Sequence, residues 1–399
     1  MKMNYNFDKI VNRRGTNCAK WDTQAKVYHN DHLLHFGVAD MDFVSPEPIQ
    51  QALQNVVNHG VYGYTDVNDE FYEVIQEHYQ KKYGIVIPKA WIVYSPRVIN
   101  SATAFINGST KPGEGVIINE PCYSPLKDAI STNNRKPVAA RTQFTDGAWH
   151  MNYDEINEAA IASSNTAMFF VNPDNPTGTV WGEDDITELM SIISKHQITI
   201  FTDEIHADLL KNGILHHSLI EKVDEYDRIV VANSLTKTYN IPGLEISYLI
   251  VPNKDIRTKI QKEFFKMGIH NPNIFSLPAF SAGYRECDDW LKSVNDYIDN
   301  NEKVVTDFLM ENCPKFVVYP RQGTYTLWID YSALKLPSEF VENWFLNKVG
   351  AEVYMGTAFG KYGDGFIRLN IATSRILIKH LLNAMKDNYD KLTDLDEQN

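Results

Sequence analysis

Between residues 91 and 251 the chain repeats short apolar runs, each about as long as a β-strand. The runs are Trp91–Tyr94, Val116–Ile118, Ala167–Val171, Ile198–Thr202, Arg228–Ala232 and Ile246–Val251. Stretches with helical periodicity separate most of them. Apolar runs with little alternation are typical of strands that are covered on both faces. The pattern therefore predicts an α/β fold with a large, mostly parallel sheet wrapped by helices.

Two helices are predicted ahead of this sheet. The first covers residues 45–60, with prolines at its entry, apolar residues at helical spacing and a glycine at its end. The second ends at Gly84 and carries one apolar stripe. The residues of that stripe are Phe71, Val74, Ile75 and Tyr79.

The pattern changes beyond about residue 285, where longer helices accompany strands predicted at Phe316–Tyr319 and Thr324–Asp330. We expect a large domain over residues 45–285. Residues 1–44 together with 286–399 are expected to form a smaller α+β domain.

Charge and composition exclude several classes of function. The chain has 38 Lys and Arg against 51 Asp and Glu, a formal net charge of −13, which disfavours nucleic-acid partners. It shows neither an apolar run long enough to span a bilayer nor a signal-peptide core, so we expect a cytoplasmic protein without membrane contact. Its four cysteines lie far apart without a CxxC pair, so neither disulfides nor a metal site is expected.

Polar residues that suit catalysis follow three of the predicted strands. Asp203 ends one strand, and Lys237 follows the next strand along the chain. Ligands of parallel sheets collect at the carboxyl ends of strands. A carboxylate buried there needs a cationic partner, and a buried lysine loses proton affinity and becomes a nucleophilic amine. Asn175 follows a third strand, in an Asn-Pro-Thr-Gly sequence that is equally typical of a plain turn.

Pyridoxal phosphate requires both an amine and a carboxylate. The amine binds its aldehyde, and the carboxylate keeps its ring nitrogen protonated so that the ring accepts electrons. Lys237 and Asp203 are candidates for these roles. Asn175 is a candidate donor to the phenolic oxygen of the ring.

At these residues the sequence resembles the fold-type I pyridoxal-phosphate enzymes related to the class I and II aminotransferases. The resemblance extends from Arg14 to about Asn388. It is carried by Asn-Pro-Thr-Gly (175–178), Asp-Glu-Ile-His (203–206), Ser-Leu-Thr-Lys (234–237) and Phe-Ile-Arg-Leu-Asn-Ile-Ala (366–372).

The resemblance implies a role for each matched residue. Lys237 would hold the cofactor covalently, Asp203 would pair with the ring nitrogen, and Arg368 would bind the substrate α-carboxylate bidentately. Further cofactor contacts are implied for Asn175, His206, Ser234, Val98 and Ile99. Ala39 and Asn175 are expected to contact the substrate, and Arg321 is the reserve candidate for the carboxylate.

Finer features resemble one branch, the carbon–sulfur β-lyases that include cystathionine β-lyases of the maltose-regulon-modulator type. They are Lys20-Trp21-Asp22, Val38-Ala39-Asp40-Met41-Asp42-Phe43, Gly63-Tyr64-Thr65 and the extension of the 203–206 motif through Leu209. In this branch Tyr123 would stack on the cofactor ring. Tyr64 would reach the phosphate of a neighbouring subunit, which implies a homodimer with shared active sites. Simple packing is the alternative for either tyrosine.

Three positions depart from the family pattern, one of which is Ser374, where relatives often have proline. Arg97 stands where relatives usually have a glycine that contacts the phosphate, and Glu245 stands where many aminotransferases keep a phosphate-binding arginine. Either the turn at Arg97 is rearranged, or Arg97 itself adds positive charge near the phosphate.

The favoured function is therefore a β-lyase that cleaves S-substituted L-cysteines, such as cystathionine and cysteine–thiol conjugates, to a thiol, pyruvate and ammonia. An aminotransferase on the same scaffold is the first alternative. A regulatory, protein-binding role alongside lyase activity is the second. The sequence leaves the preferred leaving group on sulfur open.

Overall fold

A computed structural model of the chain describes residues 5–396, with side chains to residue 392. Within that range the strands are β1 (Leu34–His35), β2 (Ile92–Ser95), β3 (Gly115–Glu120), β4 (Lys136–Thr145), β5 (Ala148–Met151), β6 (Asn165–Val171), β7 (Thr199–Asp203), β8 (Ile229–Asn233), β9 (Ser247–Ile250), β10 (Val317–Val318), β11 (Thr326–Asp330), β12 (Ala351–Glu352), β13 (Tyr354–Met355) and β14 (Phe366–Asn370).

The α-helices of the described range lie between and around these strands. They are α1 (Gln24–Val27), α2 (Glu47–His59), α3 (Asp69–Tyr83), α4 (Val98–Ser109), α5 (Ser124–Thr132), α6 (Tyr153–Ile161), α7 (Glu183–Lys195), α8 (Lys254–Lys266), α9 (Ser276–Glu286), α10 (Asp288–Asn312), α11 (Ser338–Trp344) and α12 (Arg375–Asp396). No helix of residues 5–396 is both long and apolar enough to cross a membrane.

The large sheet has eight strands in the order β2-β9-β8-β7-β6-β3-β4-β5. Its centre, from β8 to β4, is parallel, whereas β2, β9 and β5 pair antiparallel with their neighbours. Successive residues of β6 enter opposite cores, with Met168 and Phe170 in one apolar cluster and Phe169 in the other. The α/β prediction is confirmed. The central strands are apolar throughout because both faces of the sheet are buried.

The carboxyl-terminal part of the chain forms an antiparallel sheet in the order β10-β11-β14-β13. The amino-terminal segment packs with the same part of the chain through a separate two-stranded sheet, in which β1 pairs in parallel with β12 and Leu34 lies opposite Ala351. Asn370 extends the connection, since its amide donates to the carbonyl oxygens of Val38 and Asp40 at 2.8 and 2.7 Å. The domain boundaries near residues 45 and 285 stay a prediction.

Both predicted helices ahead of the sheet are present and end at their glycines. Gly60 and Gly84 cap α2 and α3 with φ of 75° and 72°, the left-handed conformation that glycine adopts without a Cβ clash. The residues of the predicted stripe are the buried residues of α3.

The structure corrects several predicted strand bounds. The strand predicted from Thr324 begins at Thr326, because Thr324 has a φ of 64°, which interrupts an extended chain. Phe316–Tyr319 contracts to Val317–Val318. The hairpin of β4 and β5 was not predicted, since exposed and buried residues alternate along it and no continuous apolar run marks it.

Asp42 is a buried carboxylate on which the amino-terminal segment converges. Its Oδ1 accepts from Trp21 Nε1 at 2.9 Å and from Arg13 Nη1 at 2.8 Å, and its Oδ2 accepts from Lys20 Nζ at 2.7 Å. Burial alone would raise the pKa of Asp42, but these donors, Lys20 foremost, hold it below its usual value. The Lys20 side chain is itself completely buried, so each charge depends on the other.

We expect Asp42→Asn to lower the free energy of unfolding by about 3–5 kcal/mol, because the buried Lys20 ammonium loses the carboxylate at 2.7 Å and keeps only Asp40, 3.9 Å away, as a counter-charge. Urea unfolding measures the loss. The matched control is Asp307→Asn, whose exposed pair with Lys303 should contribute within about 0.5 kcal/mol.

The difference in unfolding free energy between wild type and Asp42→Asn depends on pH. Because the folded-state pKa of Asp42 is lowered, its contribution is complete above the unfolded pKa of about 3.9 and is lost as the pH falls below it. The gap between wild type and Asp42→Asn should therefore close in acid. Equal unfolding midpoints at neutral pH would contradict the assignment.

Candidate active site

A cavity of about 350 Å³ opens at the carboxyl ends of β6, β7 and β8. Parallel strands bring the residues that follow them to one edge of the sheet, which is why distant motifs meet there. Eight residues predicted for the site line this cavity: Val98, Ile99, Tyr123, Asn175, Asp203, His206, Ser234 and Lys237.

Lys237 follows β8 and carries a buried ammonium group. Its Nζ donates to the carbonyl oxygen of Ala39 at 2.5 Å. Burial lowers the pKa of Lys237 to about 8, against the opposing effect of the Asp40 and Asp203 carboxylates, while Arg368 adds to the lowering. The Lys237 ammonium therefore loses its proton more readily than that of a solvent-exposed lysine.

Asp203 is the last residue of β7 and is also buried. It accepts a hydrogen bond from the backbone N–H of Ile205 at 3.1 Å. Burial raises its pKa to about 6, and the Ile205 N–H and the Lys237 charge only partly offset that rise. Among the described residues no lysine or arginine forms a salt bridge with Asp203, although the sequence predicted a cationic partner. The Asp203 carboxylate can therefore bind the cationic group of a ligand.

His206 is a neutral imidazole beside these two groups. Burial lowers its pKa to about 3, with Lys237 and Arg368 lowering it further. Its Nδ1 is buried without a hydrogen-bond partner in the described part of the protein. A buried polar atom of this kind costs free energy unless a ligand satisfies it.

Arg368 on β14 brings the second sheet to the site. Its Nη1 donates to Asn175 Oδ1 at 2.9 Å and its Nη2 donates to the carbonyl oxygen of Gly37 at 2.8 Å. The rings of Tyr354 and Phe359 lie 5.2 and 4.7 Å from the guanidinium carbon. Its Nε is buried and unpaired, and within residues 5–396 no carboxylate pairs with it, so the guanidinium is free to bind an anion.

Gly37 allows a close approach beside Arg368. A Cβ at this position would lie 2.1 Å from Glu352 Oε1 and 2.3 Å from Tyr354 Cδ1, closer than atoms can pack. The Gly37 N–H donates to Glu352 Oε2 at 3.2 Å. The sequence analysis missed this residue, since only the register of distant strands reveals the crowding.

Tyr325 is a second residue that the sequence analysis missed. Its hydroxyl donates at 2.8 Å to the carbonyl oxygen of Ala39, which also accepts from Lys237. Its ring centroid lies 5.5 Å from that of His206. In the sequence Tyr325 is an ordinary aromatic residue near a strand, and no local signal separates it from a core tyrosine.

The far end of the cavity suits an anion. Val98 and Ile99 open α4, and the first N–H groups of a helix have no intrahelical partner. The Ser234 hydroxyl, which was predicted to contact phosphate, donates to the Ile246 carbonyl oxygen at 2.5 Å. Arg97 has a φ of −147°, so this turn needs no glycine.

Two candidates lie away from the cavity of their own chain. Tyr64 is fully exposed and does not line it, so its predicted role at a neighbouring subunit stays a prediction. Arg321, the reserve candidate for the carboxylate, is bound by Asp299 and Glu302 and donates to the Thr324 carbonyl oxygen. It is therefore not available to a substrate.

The residues present fit pyridoxal phosphate. Lys237 offers an amine of lowered pKa, Asp203 offers a buried carboxylate without a bound cation, and Asn175 retains its NH₂ group as a donor after its oxygen has accepted from Arg368. Hydroxyls and the start of α4 stand where an anionic group would be bound.

The family described as "Aminotransferase class I and II" matches residues 31–385. Cystathionine beta-lyase PatB of Bacillus subtilis (strain 168) is 30% identical over 382 residues, which cover 96% of this chain and 99% of that protein. Protein MalY of Escherichia coli (strain K12) is 29% identical over 390 residues, which cover 96% and 99%. The crystal structure of cystalysin from Treponema denticola, which contains a pyridoxal 5'-phosphate cofactor, superposes with a TM-score of 0.95 at 28% identity and covers 98% of this chain and 100% of that one.

These similarities confirm the predicted fold and the predicted cofactor. Carbon–sulfur lyases are prominent among the relatives, which supports that chemistry at the level of the family. The chain belongs to the class I and II aminotransferase family, and its cofactor is pyridoxal 5'-phosphate.

Proposed function

We propose that this protein is a carbon–sulfur β-lyase that cleaves S-substituted L-cysteines, such as cystathionine, to a thiol, pyruvate and ammonia. The observation that carries the proposal is the placement of two charged groups in one cavity, with a third that reaches the cavity through its hydrogen bond to Asn175. Lys237 is a buried amine, Asp203 is a buried carboxylate, and Arg368 is a buried guanidinium without an acidic partner in the described chain.

Each group has a task that follows from its surroundings. Arg368 would bind the substrate α-carboxylate, Lys237 would hold the cofactor and then carry the proton taken from Cα, and Asp203 would keep the ring nitrogen protonated. When bound, pyridoxal phosphate supplies an acceptor for the electron pair left at Cα. The Ala39 carbonyl oxygen accepts a hydrogen bond from Lys237 Nζ and so fixes the orientation of the amine.

The charges around Arg368 favour a substrate with one recognised carboxylate. Arg321 offers no second free cation, because it is bound by Asp299 and Glu302, so the distal carboxylate of a substrate such as cystathionine gains no ion pair from it. Aromatic rings of Tyr354 and Phe359 pack beside Arg368 instead. Such walls suit a neutral thioether chain, in which sulfur contacts aromatic rings favourably.

The proposal includes a cytoplasmic homodimer with shared active sites. Tyr64 is fully exposed, and Val61 and Tyr62 beside it are 65% and 57% exposed. Exposed aromatic and apolar residues grouped in this way are typical of an interface. A partner subunit seated there would bring Tyr64 to the neighbouring cavity.

We expect the purified enzyme, supplied with cofactor and cystathionine but no keto acid, to release pyruvate and homocysteine in equal amounts over many turnovers. β-Elimination regenerates the enzyme in each cycle, because the thiolate leaves from Cβ and no second substrate is needed. Coupled lactate dehydrogenase measures the pyruvate, and Lys237→Ala is the inactive control. If cystathionine is consumed without pyruvate release, and its turnover stops after one equivalent and resumes only with a keto acid, the protein is an aminotransferase.

We expect Arg368→Lys to reduce kcat/KM by about tenfold to a hundredfold, because one ammonium replaces two parallel hydrogen bonds to a carboxylate. Steady-state kinetics with a cysteine thioether measure the loss, which should fall mainly on KM. The matched control is Arg141→Lys, an exposed arginine whose guanidinium lies over Tyr362. Unchanged kinetics of Arg368→Lys would place the carboxylate site elsewhere.

Shared sites predict complementation between two inactive variants. In a mixed dimer of Lys237→Ala and Tyr64→Ala subunits, one of the two sites retains both native residues. Dissociating and reassociating equal amounts should therefore restore about a quarter of wild-type activity, since half of the random dimers are mixed and half of their sites are intact. If the mixture stays as inactive as its components while mixed dimers form, Tyr64 does not act across the interface.

A further inference from the structure

Arg97 and Glu245 form an ion pair at the rim of the cavity, and the register of the sheet places them there. In the antiparallel pair of β2 and β9, Ser95 lies opposite Ser247. Arg97 comes two residues after Ser95 and Glu245 two residues before Ser247, so the two residues face each other just beyond the last paired residues. Arg97 Nη2 donates to Glu245 Oε1.

Both residues line the same cavity as Lys237. Among the described residues that line it, Arg97 and Lys237 are the only lysines or arginines, and Glu245 and Asp203 are the only carboxylates. The cavity therefore holds one cation and one carboxylate at the Lys237 end, and a second such pair at the end where α4 begins.

The cofactor would present its phosphate to the second pair. Lys237 would bind the aldehyde and Asp203 the ring nitrogen, while Asn175 would contact the phenolic oxygen. The phosphate-bearing carbon and that oxygen are attached on opposite sides of the aldehyde-bearing ring carbon. The phosphate therefore points away from Asn175, toward the hydroxyls of Ser234 and Thr236 and the start of α4.

A phosphate group carries about two negative charges at neutral pH, so the two members of the pair act on it in opposite directions. A guanidinium stabilises it through charge-assisted hydrogen bonds. A carboxylate repels it and also competes for the guanidinium. Arg97 and Glu245 are 56% and 45% exposed, so solvent screens both effects without removing them.

We propose that Arg97 is a phosphate-binding residue of this enzyme and that Glu245, by pairing with Arg97, weakens the cofactor affinity that Arg97 provides. The pair sets how tightly the cofactor is held. It does not take part in the reaction of the substrate.

The test measures cofactor affinity of the full-length apoenzyme by fluorescence titration with pyridoxal 5'-phosphate. We expect Arg97→Gln to weaken binding by about tenfold and Glu245→Gln to tighten it by about threefold, since each charge acts across a partly screened distance. The double variant should lie between the two single variants. Each difference should shrink in high salt.

Two controls separate this role from a structural one. Pyridoxal, which lacks the phosphate, should bind wild type and all variants equally. Removing an exposed ion pair elsewhere, with Lys89→Gln and Asp69→Asn, should leave both affinities unchanged.

Affinity changes of the same sign for Arg97→Gln and Glu245→Gln would overturn the proposal, because a merely structural ion pair loses the same interaction from either side. Unchanged affinity in both variants would overturn it as well, as would equal shifts with pyridoxal. These titrations contain no amino-acid substrate, so their outcome is independent of whether the enzyme is a lyase.

Discussion

The site depends on two buried cations, Lys237 and Arg368, that are bound by backbone carbonyl oxygens instead of carboxylates. Ala39 accepts from Lys237, and Gly37 accepts from Arg368. A carbonyl dipole lowers the cost of burying a cation without neutralising it. Arg368 therefore remains able to bind an anion and Lys237 remains able to lose its proton, both of which a full salt bridge would oppose.

The segment that supplies these carbonyls is fixed from both sides of the molecule. Asn370, at the end of β14, donates to it, and Asn240, which follows Lys237 in the chain, donates to the carbonyl oxygens of Met41 and Phe43. The acids of the same segment have cations of their own, since Arg13 binds Asp40 and Lys20 binds Asp42. The acids of the segment are thus paired within the amino-terminal region, and Asp40 opposes the lowering of the Lys237 pKa without forming a salt bridge to it.

Much of this site was predictable because strand ends converge by topology. A lysine and an aspartate placed after neighbouring parallel strands meet whatever the intervening helices contain, so Lys237 and Asp203 were found from spacing and motif alone. The contacts of Tyr325 and Gly37 depend on register between segments 286 and 315 residues apart, which no local pattern encodes. The pairing of Arg97 with Glu245 likewise became visible only once β2 and β9 were aligned.

The crowding at Gly37 has a consequence for how this site can be redesigned. Glu352 and Tyr354 occupy the volume that a side chain at position 37 would fill. The three positions are therefore sterically coupled, and a larger residue at 37 needs the side chain at 352 or 354 to move or to become smaller. A laboratory library that varies position 37 alone would return glycine. Joint variation of all three positions would change the shape of the pocket beside Arg368 in ways that no single replacement allows. New substrate preferences would follow from the new shapes.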